Sequence, residues 1–255
     1  TTPDADDRAV RDGLSEEVPT LPTGGGLDAP GCEAVTTQSA WCVSLRDDVG
    51  PGATVVFLGL DDGASCEPLA APVGSTPTGV TSLALHDSQL FWCDAAGVVQ
   101  HVDMSTGNTN AIAAPALGCA GLTSLGGGLA LLPQGLGREL SWFARAEELS
   151  AGGRGVALPI RPWASRLAAD LTTVYASWHE TEVIARWKHD GTPLESLPLD
   201  WFGWVHGLDA ANGDRLVVLD EQRDLRVFDS VTGAQVQLFP QSGQLTGLAC
   251  FPDPS

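Results

Sequence analysis

Residues 207–240 read GLDAANGDRLVVLDEQRDLRVFDSVTGAQVQLFP. Gly207–Ala211 reads as a short first strand. Arg215–Leu219 is apolar and β-branched, the composition of a buried second strand. Asp220–Asp224 reads as a turn. Leu225–Phe228 alternates apolar with polar residues, as a half-buried strand does. Asp229–Gly233 is a turn rich in Asp, Ser, Thr and Gly, and Gln235–Phe239 alternates again. The segment predicts four short strands joined by hairpin-like turns.

The same grammar recurs along the chain. Gly79-Val80-Thr81-Ser82-Leu83 returns as Gly121-Leu122-Thr123-Ser124-Leu125, 42 residues later. Gly207-Leu208-Asp209 returns as Gly247-Leu248-Ala249, 40 residues later. Asp103-Met104-Ser105-Thr106-Gly107 matches Asp229-Ser230-Val231-Thr232-Gly233 across 126 residues, three periods of 42. Residues 79–115 parse into strands at Thr81–Leu85, Leu90–Cys93, Val98–Val102 and Asn110–Ala113. Segments 121–159 and 165–199 follow more loosely. Residues 32–77 supply a fifth unit, with Ala40-Trp41-Cys42-Val43 like Leu90-Phe91-Trp92-Cys93.

Four antiparallel strands repeated every ~40–45 residues predict the blades of a β-propeller. A lone four-stranded sheet with two apolar faces is unstable; a ring of them covers both faces. Five periods fit between Gly31 and Pro240, so five blades are expected, or six if residues 1–30 hold further strands. Gly247–Phe251 is too short for a blade and is expected to pair with the first unit and close the ring. A two-sheet sandwich fits less well, since it has no such echo. Residues 31–251 resemble exported bacterial propellers of the NHL, quinoprotein-like and YWTD type, at the level of repeat grammar only. The Gly-His and Trp-Asp signature of WD repeats is absent.

Composition sets the surroundings. The 255 residues hold 32 acidic against 13 basic side chains, a net charge of −19, with 43% hydrophobic residues. Such a chain can bury a core, but its charge excludes nucleic acid and anionic lipid as main partners. No apolar run approaches the ~20 residues of a transmembrane helix. Residues 1–30 carry seven acids, two arginines and Gly24-Gly25-Gly26. They are expected to form a flexible acidic tether before a single domain at 31–255, separating an exported domain from a lipid anchor further upstream.

Six cysteines occur, at 32, 42, 66, 93, 119 and 250, without a C-x-x-C pair. The spacing is poor for zinc and points to two or three disulfides in an oxidising compartment: periplasm, outer-membrane surface or exterior. Repeat alignment puts Cys42 and Cys93 in one column and Cys32 and Cys119 in another. Cys93–Cys119 then falls on one rim of adjacent blades, and Cys250 is expected to bond Cys32 or Cys42. Cys66 has no assigned partner.

In a propeller, links between blades share a face with the turns between second and third strands. That rule gathers Asp94, His179 and Asp220 at second-strand ends, with Glu180, Glu182 and Glu221 beside them. The links add Arg161, Trp163, Arg166, Asp200, Trp201, Trp204 and His206. Tryptophans as flat anchors and carboxylates for orientation suit a protein partner, a small molecule or a carbohydrate. The same tryptophans also suit inter-blade packing, and the aspartates also suit turns. A rival reading makes the protein a hydrolase or lyase using His179 or His206 at the channel mouth; another makes it an accessory subunit of an envelope complex. Nucleophile elbows, zinc-protease helices and phosphate loops are absent, and nothing calls for a metal or cofactor. Binding or scaffolding is the expectation, and the fold alone licenses no activity.

Overall fold

A computed structural model describes residues 32–47, 52–69, 82–86, 88–94, 96–112, 118–135, 139–145, 148–149, 155–162, 166–177, 180–211 and 214–251. The tether expected over 1–30 lies outside the described residues.

The described residues form a short helix α1 (Glu33–Thr36) and twenty strands. β1 (Trp41–Asp47), β2 (Ala53–Gly59) and β3 (Ser65–Cys66) belong to blade 1. Blade 2 holds β4 (Leu83–His86), β5 (Gln89–Cys93), β6 (Val99–Asp103) and β7 (Thr109–Ile112). Blade 3 holds β8 (Gly121–Leu125), β9 (Gly128–Leu132), β10 (Leu140–Phe143) and β11 (Val156–Leu158). Blade 4 holds β12 (Arg166–Ala169), β13 (Thr173–Ser177), β14 (Glu180–Lys188) and β15 (Pro193–Trp204). Blade 5 holds β16 (Gly207–Ala211), β17 (Arg215–Leu219), β18 (Leu225–Asp229) and β19 (Gln235–Phe239). The last strand, β20 (Leu245–Phe251), pairs with β1 and supplies the inner strand of blade 1. The protein is a five-bladed β-propeller closed by its C-terminal strand.

The inner strands β20, β4, β8, β12 and β16 touch in cyclic order. Each gap between consecutive blades holds its own apolar cluster. Period-two alternation explains how one strand serves two gaps. On β17, Val217 and Leu219 pack toward blade 1, while Leu216 and Val218 pack toward blade 4. All four are buried, so β17 is apolar on both faces rather than half-polar.

The repeated Asp-x-x-x-Gly segments are the turns between third and fourth strands. Asp103 Oδ1 accepts the amides of Ser105 and Thr106 at 2.8 and 3.0 Å. Asp229 Oδ1 accepts those of Val231 and Thr232 at 3.0 and 2.7 Å. The echo across 126 residues is therefore one turn used twice.

Closure is held by more than ladder bonds. Between Val43 and Leu45 the β1–β20 register shifts, so β20 carries an extra residue. The buried Ser44 hydroxyl donates to the carbonyls of Gly247 at 2.9 Å and Thr246 at 3.2 Å, groups at this bulge.

All six cysteines are bonded: Cys32–Cys66, Cys42–Cys250 and Cys93–Cys119. Three disulfides mark a non-cytoplasmic, oxidising setting. The expected Cys93–Cys119 bond and the bond from Cys250 to blade 1 are both present. The column assignments need correction. Cys93 ends β5 beside a second-to-third-strand turn, whereas Cys42 lies near the opposite end of β1. Cys119 precedes an inner strand, whereas Cys32 precedes α1. The cause is the closure: blade 1 takes its inner strand from the C-terminus, so the chain enters it at the second strand.

Candidate functional site

The strand order places inter-blade links and second-to-third-strand turns on one side of the ring, here the link side. Asp94, Arg161, Arg166, Trp204, His206 and Asp220 all fall there, at strand ends or in the connections. Trp163 and His179 lie outside the described residues, as does the side chain of Glu180. Glu182 and Glu221 are exposed. No described helix is long and apolar enough to cross a membrane.

Asp94 and Asp220 build equivalent turns. Asp94 Oδ1 accepts the amides of Ala96 and Val98, both at 2.9 Å, and its Oδ2 accepts Gln100 Nε2 at 3.0 Å. Asp220 Oδ1 accepts the amides of Gln222 and Asp224 at 2.8 and 3.0 Å. Its Oδ2 accepts Arg226 Nε at 2.7 Å. Their shared column thus reflects a shared turn, with the carboxylates facing their own backbone rather than solvent.

Two arginines of the predicted set behave differently. Arg161 is exposed and paired with Glu139 at 2.5 Å, a contact worth ~0–1 kcal/mol at a surface. Arg166 opens β12, is 4% exposed, and donates from Nε to Val205 O at 3.1 Å. Burial, with Arg223 nearby, pushes its guanidinium down to about 10. His206 ties the entry of β16 to β17 and β20 through its backbone, donating to Leu219 O at 2.8 Å and accepting from Gly247 N at 3.0 Å.

The sequence reading assigns Asp200, Trp201 and Trp204 to a link. The structure draws them into β15, a twelve-residue outer strand that runs on to Trp204. Thr181 faces Gly203 and Val183 faces Pro198, so β15 bulges over residues 199–202. Alternation persists through the bulge: Leu197, Leu199, Trp201 and Gly203 turn inward, while Pro198, Asp200, Phe202 and Trp204 turn outward. Phe202 is 60% exposed and Trp204 49%. Val183, 38% exposed on the adjacent strand, adds to this apolar edge.

Trp201 anchors the bulge from behind. Its ring lies 6.3 Å from that of Phe228 in blade 5. Arg226 sits over it, with Cζ 5.2 Å from the ring centroid. Arg226 is itself fixed by Asp220 and by Gln235 Oε1 at 2.8 Å. A Cβ built on Gly203 would meet the Trp201 ring at 2.3 Å, so the absence of a side chain there lets the ring fold back. Asp200 Oδ1 accepts Gln235 N at 2.9 Å and ties the outward side to blade 5. The chain Asp220–Arg226–Trp201 therefore braces the strand segment that carries Phe202 and Trp204.

Phe202 and Arg226 were missed by the sequence reading. The signal for Phe202 was its spacing: two residues before Trp204, on the same strand face. Trp41, Trp92, Trp142, Trp187 and Trp201 contribute to inter-blade clusters. Trp204 stands apart from them as a large apolar side chain half in solvent.

One buried carboxyl lies at the seam of three blades. Asp209 on β16 accepts Cys250 N of β20 at 2.6 Å and the amides of Ala210 and of Ala169 in β12. Burial pushes it up to about 8 against the pull of these amides. Among the described residues, no three His, Cys, Asp or Glu side chains are grouped to hold a metal. Comparison with protein-family models and with curated proteins yields no match.

Proposed function

We propose that this protein is an exported, non-catalytic propeller that binds a partner or ligand on its link side, with Phe202 and Trp204 as anchors. The observation that carries the reading is the outward row of β15, half-exposed and braced from behind by Trp201 and Arg226. A large aromatic carried on a braced strand presents apolar area without requiring the backbone beneath it to be ordered on binding, which suits an anchor. A flat sugar ring or an apolar side chain of a partner fits such a row. The three disulfides support export, to the periplasm, the outer-membrane surface or the exterior. The NHL-like, quinoprotein-like or YWTD-like character, and a lipid anchor upstream, are part of the same proposal.

Glycan-array binding of the native chain beside Trp204→Ala and Phe202→Ala tests the carbohydrate form. Binding that falls in both variants supports it. Retained binding removes the row from the site, and no binding to any glycan leaves the protein-partner form to be tested by cross-linking from the same positions.

A further inference from the structure

The inward face of β15 already holds a cation. The ring of Trp201 carries the guanidinium of Arg226, with Cζ 5.2 Å from the ring centroid. A carboxylate completes the arrangement, since Asp220 Oδ2 accepts Arg226 Nε at 2.7 Å. Ring and carboxylate together meet a guanidinium on its face and at its edge. On this face the cation comes from the protein's own blade 5.

The outward face repeats the ring and the carboxylate. Phe202 is 60% exposed and Trp204 49%. Two residues apart on one strand face, they stand roughly 7 Å apart along the strand. Asp200 shares that face of β15, is exposed, and binds Gln235 N through Oδ1. Glu182 is exposed on β14, opposite the bulge that the pairs Thr181–Gly203 and Val183–Pro198 bracket. These acids belong to a chain with 32 acidic against 13 basic residues.

Charge and area choose the occupant. A second copy of this chain carries the same net charge of −19 and is repelled. At half exposure, two aromatic side chains offer on the order of 200 Å², against the ~800 Å² per partner of a standard interface. A neutral sugar gains nothing from the carboxylates, whereas a cation gains from both rings and acids. We propose, resting on the anchor role of the row, that its occupant is an arginine-bearing segment of a basic partner protein. The arginine lies against Phe202 and Trp204, and Glu182 and Asp200 meet its charge.

Titration of the intact, disulfide-bonded chain with the acetylated and amidated peptide Gly-Arg-Gly-Arg-Gly, beside the same peptide with citrulline for arginine, tests this. Citrulline keeps the flat shape and removes the charge. Saturable binding on the order of millimolar is expected for the arginine peptide, and binding about tenfold weaker for the citrulline peptide. Phe202→Ala/Trp204→Ala is expected to lose about tenfold for the arginine peptide. Glu182→Gln is expected to lose about twofold or more. Glu67→Gln, an equal change of net charge at the Arg46 pair in blade 1, is expected to bind as the native chain does. Equal affinity for both peptides, lost together in Phe202→Ala/Trp204→Ala, keeps the row as an anchor and overturns the cationic occupant. Native affinity in that double variant, or equal losses in Glu182→Gln and Glu67→Gln, places the attraction in the net charge and overturns the inference. Absence of saturable binding overturns it too, while cross-linking from positions 202 and 204 judges the row itself.

Discussion

Cys42 and Cys250 face each other in the β1–β20 register and are joined by a disulfide across 208 residues of chain. The bond fastens the ring at the one seam where sequence neighbours do not meet. In the chain-entropy model, so long a loop is worth roughly 5 kcal/mol. Cys42→Ala/Cys250→Ala is expected to lower stability by roughly 1–2 kcal/mol more than Cys32→Ala/Cys66→Ala, whose loop spans 34 residues, because the term grows only with the logarithm of loop length. Equal losses in both pairs, read by equilibrium denaturation, count against a closure role.

Ser44 is expected to matter for the same seam. Removing its hydroxyl in Ser44→Ala leaves the Gly247 carbonyl without a buried donor. A loss of ~1–3 kcal/mol is expected, with amide exchange in β20 accelerated more than in β17. A loss spread evenly over both strands contradicts the local account.

Asp209 makes stability depend on pH. Its folded pKa, about 8, lies above the ordinary aspartate value of 3.8, so the folded state holds the proton more tightly. The contribution is fully present below pH ~4 and falls as pH rises through about 8, by at most ~1.4 kcal/mol per unit. Asp209→Asn, neutral at every pH, is expected to flatten this slope and to match or exceed the native chain above pH 8. Parallel stability profiles for the two proteins disprove the assignment.

Much of the ring is legible in residues alone. All four strands of blade 5 fall where its alternation and turns put them, because β-branched runs there are separated by short Asp- and Gly-rich turns. The closing strand is legible because Gly247–Phe251 repeats a blade start without a blade behind it. β15 is not legible. Pro193, Pro198 and Gly203 read as breakers, yet an outer strand has one side free of ladder bonds and tolerates proline. The cysteine columns fail for a related reason, since Ala40–Val43 resembles Leu90–Cys93 in strand type but not in register. The turn role of Asp94 and Asp220 is weighed in the sequence, whereas Arg226 over Trp201 needs two blades to be seen together.

The bracing of the aromatic row gives its own test. Asp220 is 1% exposed as a side chain and holds Arg226 beneath solvent. Asp220→Ala removes two turn bonds and leaves a charge unpaired, at a cost of ~3–5 kcal/mol. Asp94→Ala removes the same turn bonds with only a neutral Gln100 behind them, and ~1–3 kcal/mol is expected. Trp201 fluorescence is expected to shift in the Asp220 variant only. An equal shift in both separates Arg226 from the tryptophan.

The central claim is that the outward row of β15 is the recognition surface. Site-specific photo-crosslinking in cells that produce the protein tests it, with a photoreactive phenylalanine placed at Phe202, at Trp204, or at Val231, which is 73% exposed in a third-to-fourth-strand turn. The account predicts one and the same adduct from positions 202 and 204 and none from 231. Equal adducts from all three, or adducts from 231 alone, contradict it.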